Sequence, residues 1–350
     1  MRLAKFREKL QSGACAALVT NELNVRYLGS VDYTDGFLLI TADKAFLFAD
    51  SRYIEVAKRD AAEGFTVVLL NKRRTEMIKE YLPDAEVILY EEGTVVCSEL
   101  EAMKKGLPNV EFRPAGAIVE GLRNIKSEAE KECTVKAQRI AEAAFEHVLG
   151  FISTDVTEVD VALELEFFMR KHGADGVAFD TIAASGTASS MPHAVPRRTK
   201  LEKGFLTMDF GAKYNGYCSD MTRTVCIGKP TCEMEKVYMT VLSAQRAALE
   251  TIAEGVKNSD ADKAARDIIA AAGYGECFGH SLGHGVGLYI HEGISLSPRS
   301  AGVLQRGNIV TVEPGIYLEG RFGVRIEDMV YVTGNGCENL TKAEKELIIL

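Results

Sequence analysis

Four acidic residues stand alone in apolar, strand-like segments of the second half of this chain, and they restrict how it can fold. Asp209 lies in T-M-D-F-G, Asp220 in C-S-D-M-T-R-T, Glu313 in T-V-E-P-G and Glu327 in V-R-I-E-D. A carboxylate in a buried strand is costly without counter-charge, and no equally placed set of basic residues accompanies these four. Between the two pairs runs His280–Glu292, H-S-L-G-H-G-V-G-L-Y-I-H-E, with three histidines spaced by glycines that permit close backbone approach. Two divalent cations would balance four carboxylates and leave His284 as a neutral ligand. Taken singly, each acid is more often a turn cap or a solvated charge. The five-residue pattern in this order points instead to a binuclear metallohydrolase.

Strand geometry says how the acids could converge, because facing positions on a hairpin share one side of the sheet. A three-residue loop, Glu319-Gly320-Arg321, puts Glu313 and Glu327 directly opposite each other. Asp209 and Asp220 bracket a turn around Tyr214-Asn215-Gly216. A simple two-residue loop makes them opposite, whereas an Asn-Gly turn is expected to need a bulge. Both pairs are expected to point into one pocket. Oxygen-rich ligation with one imidazole suits manganese, cobalt, zinc or iron alike, and manganese is the ion expected.

A length of 350 residues predicts about two domains. The net charge of -9 excludes a nucleic-acid partner, since phosphate binding needs a basic face. No apolar run approaches the ~20 residues of a membrane span, and the charged start M-R-L-A-K-F-R-E-K-L lacks the pattern of a secretory signal. Eight scattered cysteines without a C-x-x-C pair are expected to be reduced thiols, Cys218 and Cys226 among them as strand packing, in a cytoplasmic protein.

Residues 1–123 interleave strand patterns (16–20, 36–41, 45–49, 66–70 and 86–90) with helical ones (3–11, 51–63 and 75–82), which predicts an α/β layer domain. It holds no histidine. The expected boundary lies at Leu122–Ser127, where Ser127 followed by Glu130 fits a capping box. Residues 124–350 then show a long helix to about His147, a helix over 157–171, strands around Asp209 and Asp220, helices over 232–253 and 259–272, and strands around Glu313 and Glu327. Helix-helix-strand-strand thus occurs twice, which suggests a duplicated half.

These segments resemble the superfamily of creatinase, aminopeptidase P and methionine aminopeptidase, the pita-bread metallopeptidases, and within it the Xaa-Pro peptidases. The resemblance rests on the histidine segment, on P-H-A-V-P, T-M-D-F-G, Y-N-G-Y-C-S-D-M-T-R-T-V, E-P-G-I-Y and G-V-R-I-E-D, and on N-V-R-Y-L and D-S-R-Y in the first 123 residues. It implies a creatinase-like α/β domain followed by a pita-bread catalytic domain. It implies Asp209, Asp220, His284, Glu313 and Glu327 as ligands of two divalent metal ions, with Asp220 and Glu327 contacting both. Asp209 would hold one ion, and His284 and Glu313 the other. His193 and His291 match the family's non-ligand active-site histidines, and His280 is typical of Xaa-Pro peptidases.

The activity so implied is cleavage between an N-terminal residue and proline in small peptides, with a hydroxide held between the ions as nucleophile. His193 and His291 would bind the developing oxyanion or the substrate carbonyl. Glu313 would pass a proton to the leaving nitrogen. His280 and Arg325 are expected to contact substrate, Arg325 either there or on a bridging carboxylate. Tyr217 is expected as a pocket wall, and His147 and His172 as structural. An aminopeptidase is favoured over a dipeptidase (prolidase) because the chain is compact. A creatinase-type amidinohydrolase or a silent binding module should have lost some of these residues. The family also suggests a homodimer.

Overall fold

The computed structural model describes residues 2–10 and 16–350; Gln11, the predicted end of the first helix, and Cys15 lie outside them. The chain forms two compact units, Met1–Arg123 and Asn124–Leu350.

The first unit runs α1 (Arg2–Lys9), β1 (Ala16–Val19), α2 (Glu22–Gly29), β2 (Phe37–Ile40), β3 (Ala45–Ala49), α3 (Ile54–Asp60), β4 (Thr66–Leu69), α4 (Arg74–Tyr81), β5 (Val87–Tyr90), α5 (Cys97–Gly106), β6 (Glu111–Pro114) and α6 (Ile118–Arg123). Its strands form one sheet in the order β4-β3-β2-β1-β5-β6. Only β2 is antiparallel to its neighbours. The apolar runs of β1 and β2 are buried throughout, as strands covered on both faces require. Three helices, α2, α5 and α6, and the strand β6 go beyond the sequence reading. The E-F-R-P of β6 is a charged, mostly exposed edge strand with a proline, so it carries no apolar alternation.

The second unit begins with α7 (Glu128–Leu149) and α8 (Glu158–Lys171). Ser127 caps α7 through Glu130, whose carboxylate returns to the Ser127 N–H at 2.7 Å. Thr157 and Asp160 repeat the device on α8. Next come β7 (Gly176–Val177), β8 (Ile182–Ser185), β9 (Gly204–Phe210), β10 (Ala212–Tyr214), β11 (Tyr217–Cys218) and β12 (Met221–Ile227). The pattern then returns with α9 (Cys232–Thr251), α10 (Asn258–Ala271), β13 (Gly283–Gly285), β14 (Glu292–Leu296), β15 (Ile309–Val312), β16 (Gly315–Leu318), β17 (Phe322–Arg325), β18 (Asp328–Thr333) and β19 (Gly336–Asn339). The expected duplication is therefore present. Phe145, Leu165, Met208 and Phe210 lie in the core of the first half; Val241, Ile269, Val312 and Val330 lie in that of the second, which also takes in Phe205 and Cys226 from the first.

Each half also contributes one long hairpin whose ladder is interrupted once. In the first, β10 and β11 close on Asn215-Gly216, both at positive φ (46° and 75°), a two-residue turn that needs no bulge. The same register continues into β9 and β12, where Asp209 faces Thr222. The expectation that Asp209 lies opposite Asp220 is thus corrected. The loop is 215–216 and not 214–215, so Asp220 sits two residues away, diagonally, on the same face. In the second hairpin β16 and β17 close on Glu319-Gly320-Arg321, with Leu318 facing Phe322. Val312 faces Asp328 in unchanged register, so Glu313 and Glu327 lie opposite each other as expected.

Three of the acids occupy the interruptions. There the backbone turns to other partners: Glu327 N–H donates to Thr222 O of the first hairpin (3.1 Å), and Glu313 N–H to Leu282 O (2.8 Å). Broken pairing is what lets strands from both halves converge on one place.

Candidate metal centre

The convergence encloses a cavity of about 410 Å³ in the second unit. All nine residues singled out from the sequence line it: His193, Asp209, Asp220, His280, His284, His291, Glu313, Arg325 and Glu327. Phe179, Ile182, Pro192 and Ile290 supply apolar wall. Tyr217 is not part of that wall. Its hydroxyl donates to Glu130 Oε1 at 2.8 Å, tying the first hairpin to α7.

Donor atoms of Asp220, His284 and Glu327 lie within 4.8 Å of one another, a spacing that could hold a metal ion. His284 Nε2 stands 3.5 Å from both Asp220 Oδ2 and Glu313 Oε1. Its backbone N–H is held by Thr311 Oγ1 (3.0 Å), and Thr311 Oγ1 also reaches Glu313 Oε1 (3.3 Å). Glu327 Oε2 accepts from Thr222 Oγ1 at 2.7 Å. These hydroxyls orient the acids and leave their other oxygens facing the cavity.

The electrostatics are those of clustered acids that a cation would stabilise. Burial, then the like charges nearby, pushes the Asp220 and Glu327 carboxyls well up. Burial raises Glu313 to about 8. Burial lowers His284 to about 4, with His291 adding to it, which keeps the imidazole neutral as a ligand must be. Asp209 Oδ1 is buried without a hydrogen-bond partner. An orphaned carboxylate oxygen beside three acids and a neutral imidazole fits a divalent cation of the hard-to-borderline kind.

Arg325, at the cavity wall, has its donors taken by protein groups. Its Nη2 donates to Asp209 Oδ2 (2.7 Å), Nη1 to Tyr317 Oη (2.8 Å) and Pro192 O (3.1 Å), and Nε to Thr222 Oγ1 (3.0 Å). Because Tyr317 accepts from Arg325, its own proton is available to His280 Nε2 at 3.0 Å. His280 Nδ1 then donates to Ser281 O (2.8 Å). Both ring nitrogens are thereby used, and burial, with Arg325 next, lowers His280 to about 4. Tyr317 escaped sequence reasoning because an aromatic residue in E-P-G-I-Y looks like core.

His193 and His291 are the exposed pair at the cavity. The His291 ring lies 4.3 Å from that of His284, edge to face. Burial, and secondly His193, lowers its pKa. Glu292 fixes the turn behind it, accepting from Tyr289 N–H and from a buried Lys126 ammonium at 3.0 Å. His147 and His172 lie apart from the cavity, stacked on either side of Phe168. Cys218 and Cys226 are buried free thiols outside it.

Comparison with known proteins places these features. The sequence pattern of metallopeptidase family M24 matches residues 132–334, and that of the creatinase/prolidase N-terminal domain matches residues 2–125. A solved Xaa-Pro dipeptidase from Bacillus anthracis is 42% identical, with a TM-score of 0.96 over 100% of this chain and 99% of its own. An Xaa-Pro dipeptidase of Pyrococcus furiosus is 37% identical over 99% of this chain and 98% of its own. A solved X-Pro aminopeptidase from Thermotoga maritima is 37% identical, with a TM-score of 0.92 over 98% of this chain and 99% of its own. No helix among the described residues is long and apolar enough to cross a membrane.

Proposed function

The chain belongs to metallopeptidase family M24, and on that premise we propose that it is an Xaa-Pro dipeptidase, cleaving dipeptides whose second residue is proline. That it is a metal-dependent peptide hydrolase with a creatinase-type N-terminal domain and a pita-bread catalytic domain follows from the family itself. The observation carrying the finer reading is similarity to proteins named Xaa-Pro dipeptidase over 98–100% of both chains. Compactness had favoured the aminopeptidase. It loses its force, because the similar dipeptidases are equally compact. The aminopeptidase stays as the second reading on one observation, the similarity to the Thermotoga protein.

In this reading Asp209, Asp220, His284, Glu313 and Glu327 would hold two divalent ions, with manganese the first candidate. The spacing of Asp220, His284 and Glu327 and the orphaned Asp209 oxygen support that ligand set. When bound, such ions polarise a carbonyl and lower the pKa of a coordinated water. His291 and His193, exposed at the cavity, would donate to the substrate carbonyl as charge develops on it. Glu313 would deliver a proton to the proline nitrogen, a tertiary amide that has no N–H of its own. Arg325 and His280, joined through Tyr317, act on Asp209 rather than directly on the peptide.

The test is hydrolysis of Ala-Pro and Ala-Pro-Ala by the chain loaded with Mn²⁺, Co²⁺ or Zn²⁺. Cleavage of Ala-Pro alone supports the dipeptidase. Release of Ala from Ala-Pro-Ala transfers the assignment to the aminopeptidase, and failure on both with every metal removes Xaa-Pro specificity.

A further inference from the structure

His193 reaches the cavity on a segment without regular structure, so something outside the site must hold it. From the end of β8 the chain makes a short 3-10 turn over Gly186–Ser190 and then runs irregularly past His193 to Arg197. The His193 ring has no side-chain hydrogen bond among the described residues, and its position depends on the backbone that carries it. Toward the cavity that backbone touches β17: Pro192 O accepts from Arg325, and Gly323 N–H donates to Ser189 Oγ at 2.9 Å.

The base of the loop closes on one buried carboxylate. Glu158, the first residue of α8, is buried completely. Its Oε1 accepts from Ser185 N–H (2.7 Å), Ser185 Oγ (2.9 Å) and Arg197 Nη2 (2.7 Å). Its Oε2 accepts from Arg197 N–H (2.8 Å) and Arg197 Nε (2.9 Å). Arg197 Nη2 also reaches Ser185 O at 3.2 Å. Ser185 and Arg197 are twelve positions apart, so these five bonds shut the loop at its neck, as in an Ω-loop. Burial alone would raise the Glu158 carboxyl, and the bonds from Arg197 and Ser185 more than reverse that. Helix α8 supplies the rigid end of the clamp, with its N-terminus favouring the negative charge.

We propose that Glu158 and Arg197 are positioning residues for His193, a bidentate clamp that fixes the catalytic loop from behind. The proposal rests on the peptidase reading for the part His193 plays. Neither clamp residue lines the cavity, so neither touches substrate. In Glu158→Gln the amide NH₂ meets the Arg197 or Ser185 donors, and at least one of those bonds is lost. Arg197→Lys keeps the charge and the backbone N–H but cannot present a planar fork.

The test uses the full manganese-loaded chain and Ala-Pro. Glu158→Gln and Arg197→Met should each lower kcat by about 10- to 100-fold, the range expected when a group near the chemistry is displaced by an ångström. KM should move far less, metal content should stay at the wild-type value, and Arg197→Lys should recover part of the loss. In a His193→Ala background, Glu158→Gln should cost nothing further. Hydrogen exchange should quicken in residues 186–198 and stay unchanged elsewhere in Glu158→Gln. A multiplicative loss in the double variant, or unchanged exchange in that loop, overturns the clamp. Where wild type fails on Xaa-Pro peptides, or His193→Ala is fully active, the functional reading falls, and the exchange experiment still decides whether the clamp holds the loop.

Discussion

Asp209 gives one carboxylate oxygen to Arg325 at 2.7 Å and keeps the other buried and unpaired. The two residues lie 116 positions apart, on β9 of the first half and β17 of the second. Arg325 therefore fixes the direction in which the free oxygen points, and it neutralises part of the charge that four clustered acids bring together. A guanidinium can do this while also satisfying Tyr317, Pro192 and Thr222, because its donors lie in one rigid plane.

Arg325→Lys keeps the charge but cannot serve four acceptors at once. We expect metal affinity and kcat/KM to fall about 10- to 100-fold, as for other groups that orient a ligand. Metal titration with activity on Ala-Pro measures both. Unchanged affinity would show that Asp209 is not steered by Arg325.

Glu327→Gln separates a ligand from an ordinary buried acid. In the metal-free chain it removes one member of a mutually repelling group, and Tm should rise by about 2–4 °C, which corresponds to roughly 1 kcal/mol for a unit of this size. In the metal-loaded chain activity should fall more than about 100-fold, since the loss of a ligand exceeds that of a supporting group. A lower Tm without metal would mean the carboxylate is structural.

Removal of metal should create a pH dependence that the loaded protein lacks. Glu313 titrates near 8 in the folded metal-free chain against an ordinary 4.5, while His280 and His284 are lowered from 6.5 to about 4. Above 6.5 the imidazoles are neutral whether folded or not, and they contribute no slope. Glu313 still holds its proton when folded and has lost it when unfolded, so stability drains away as pH rises from 6.5 through 8. The limit is about 1.4 kcal/mol per pH unit for each such proton. Asp220 and Glu327, raised by burial, act in the same direction. Melting with EDTA across this range should show the decline. Saturating Mn²⁺ should abolish it, because bound ligands are already deprotonated.

Tyr217→Phe should cost about 1.5–3 kcal/mol of stability, the worth of a buried hydrogen bond to a charged group, and leave kcat and KM untouched. Chemical denaturation and steady-state kinetics on one preparation test this. A changed KM would return Tyr217 to the pocket wall.

The parts of the site that could be read from the sequence are those where charge contradicts context. Asp209, Asp220, Glu313 and Glu327 interrupt apolar strands, and their number demanded a common solution. The second hairpin was legible too, because Glu313 and Glu327 are symmetric about Gly320. The first was misplaced by one residue, since Tyr214-Asn215 and Asn215-Gly216 are both two-residue loops and only the second suits positive φ at both places. Tyr317, Glu158 and Lys126 carried no signal. Their importance lies in partners 8 to 166 residues away, and no local pattern records such distances. In the first unit, β6 and α5 stayed hidden because their faces are mostly exposed and show little apolar periodicity.

The two halves of the second unit also meet over apolar side chains, with Phe205 and Cys226 of the first half lying in the core of the second, but what joins them at the ligands is polar: Glu327 N–H on Thr222 O, and Thr224 Oγ1 exchanging bonds with the Arg325 backbone. At the ligands the seam between the halves thus rests on hydrogen bonds. A divalent ion held, as proposed, by acids from both hairpins would work as a rivet across that seam, adding stability that grows with the logarithm of its affinity. Chelation should therefore loosen the molecule along one line, with exchange protection lost first at Thr222, Glu313 and Glu327 while both cores remain closed.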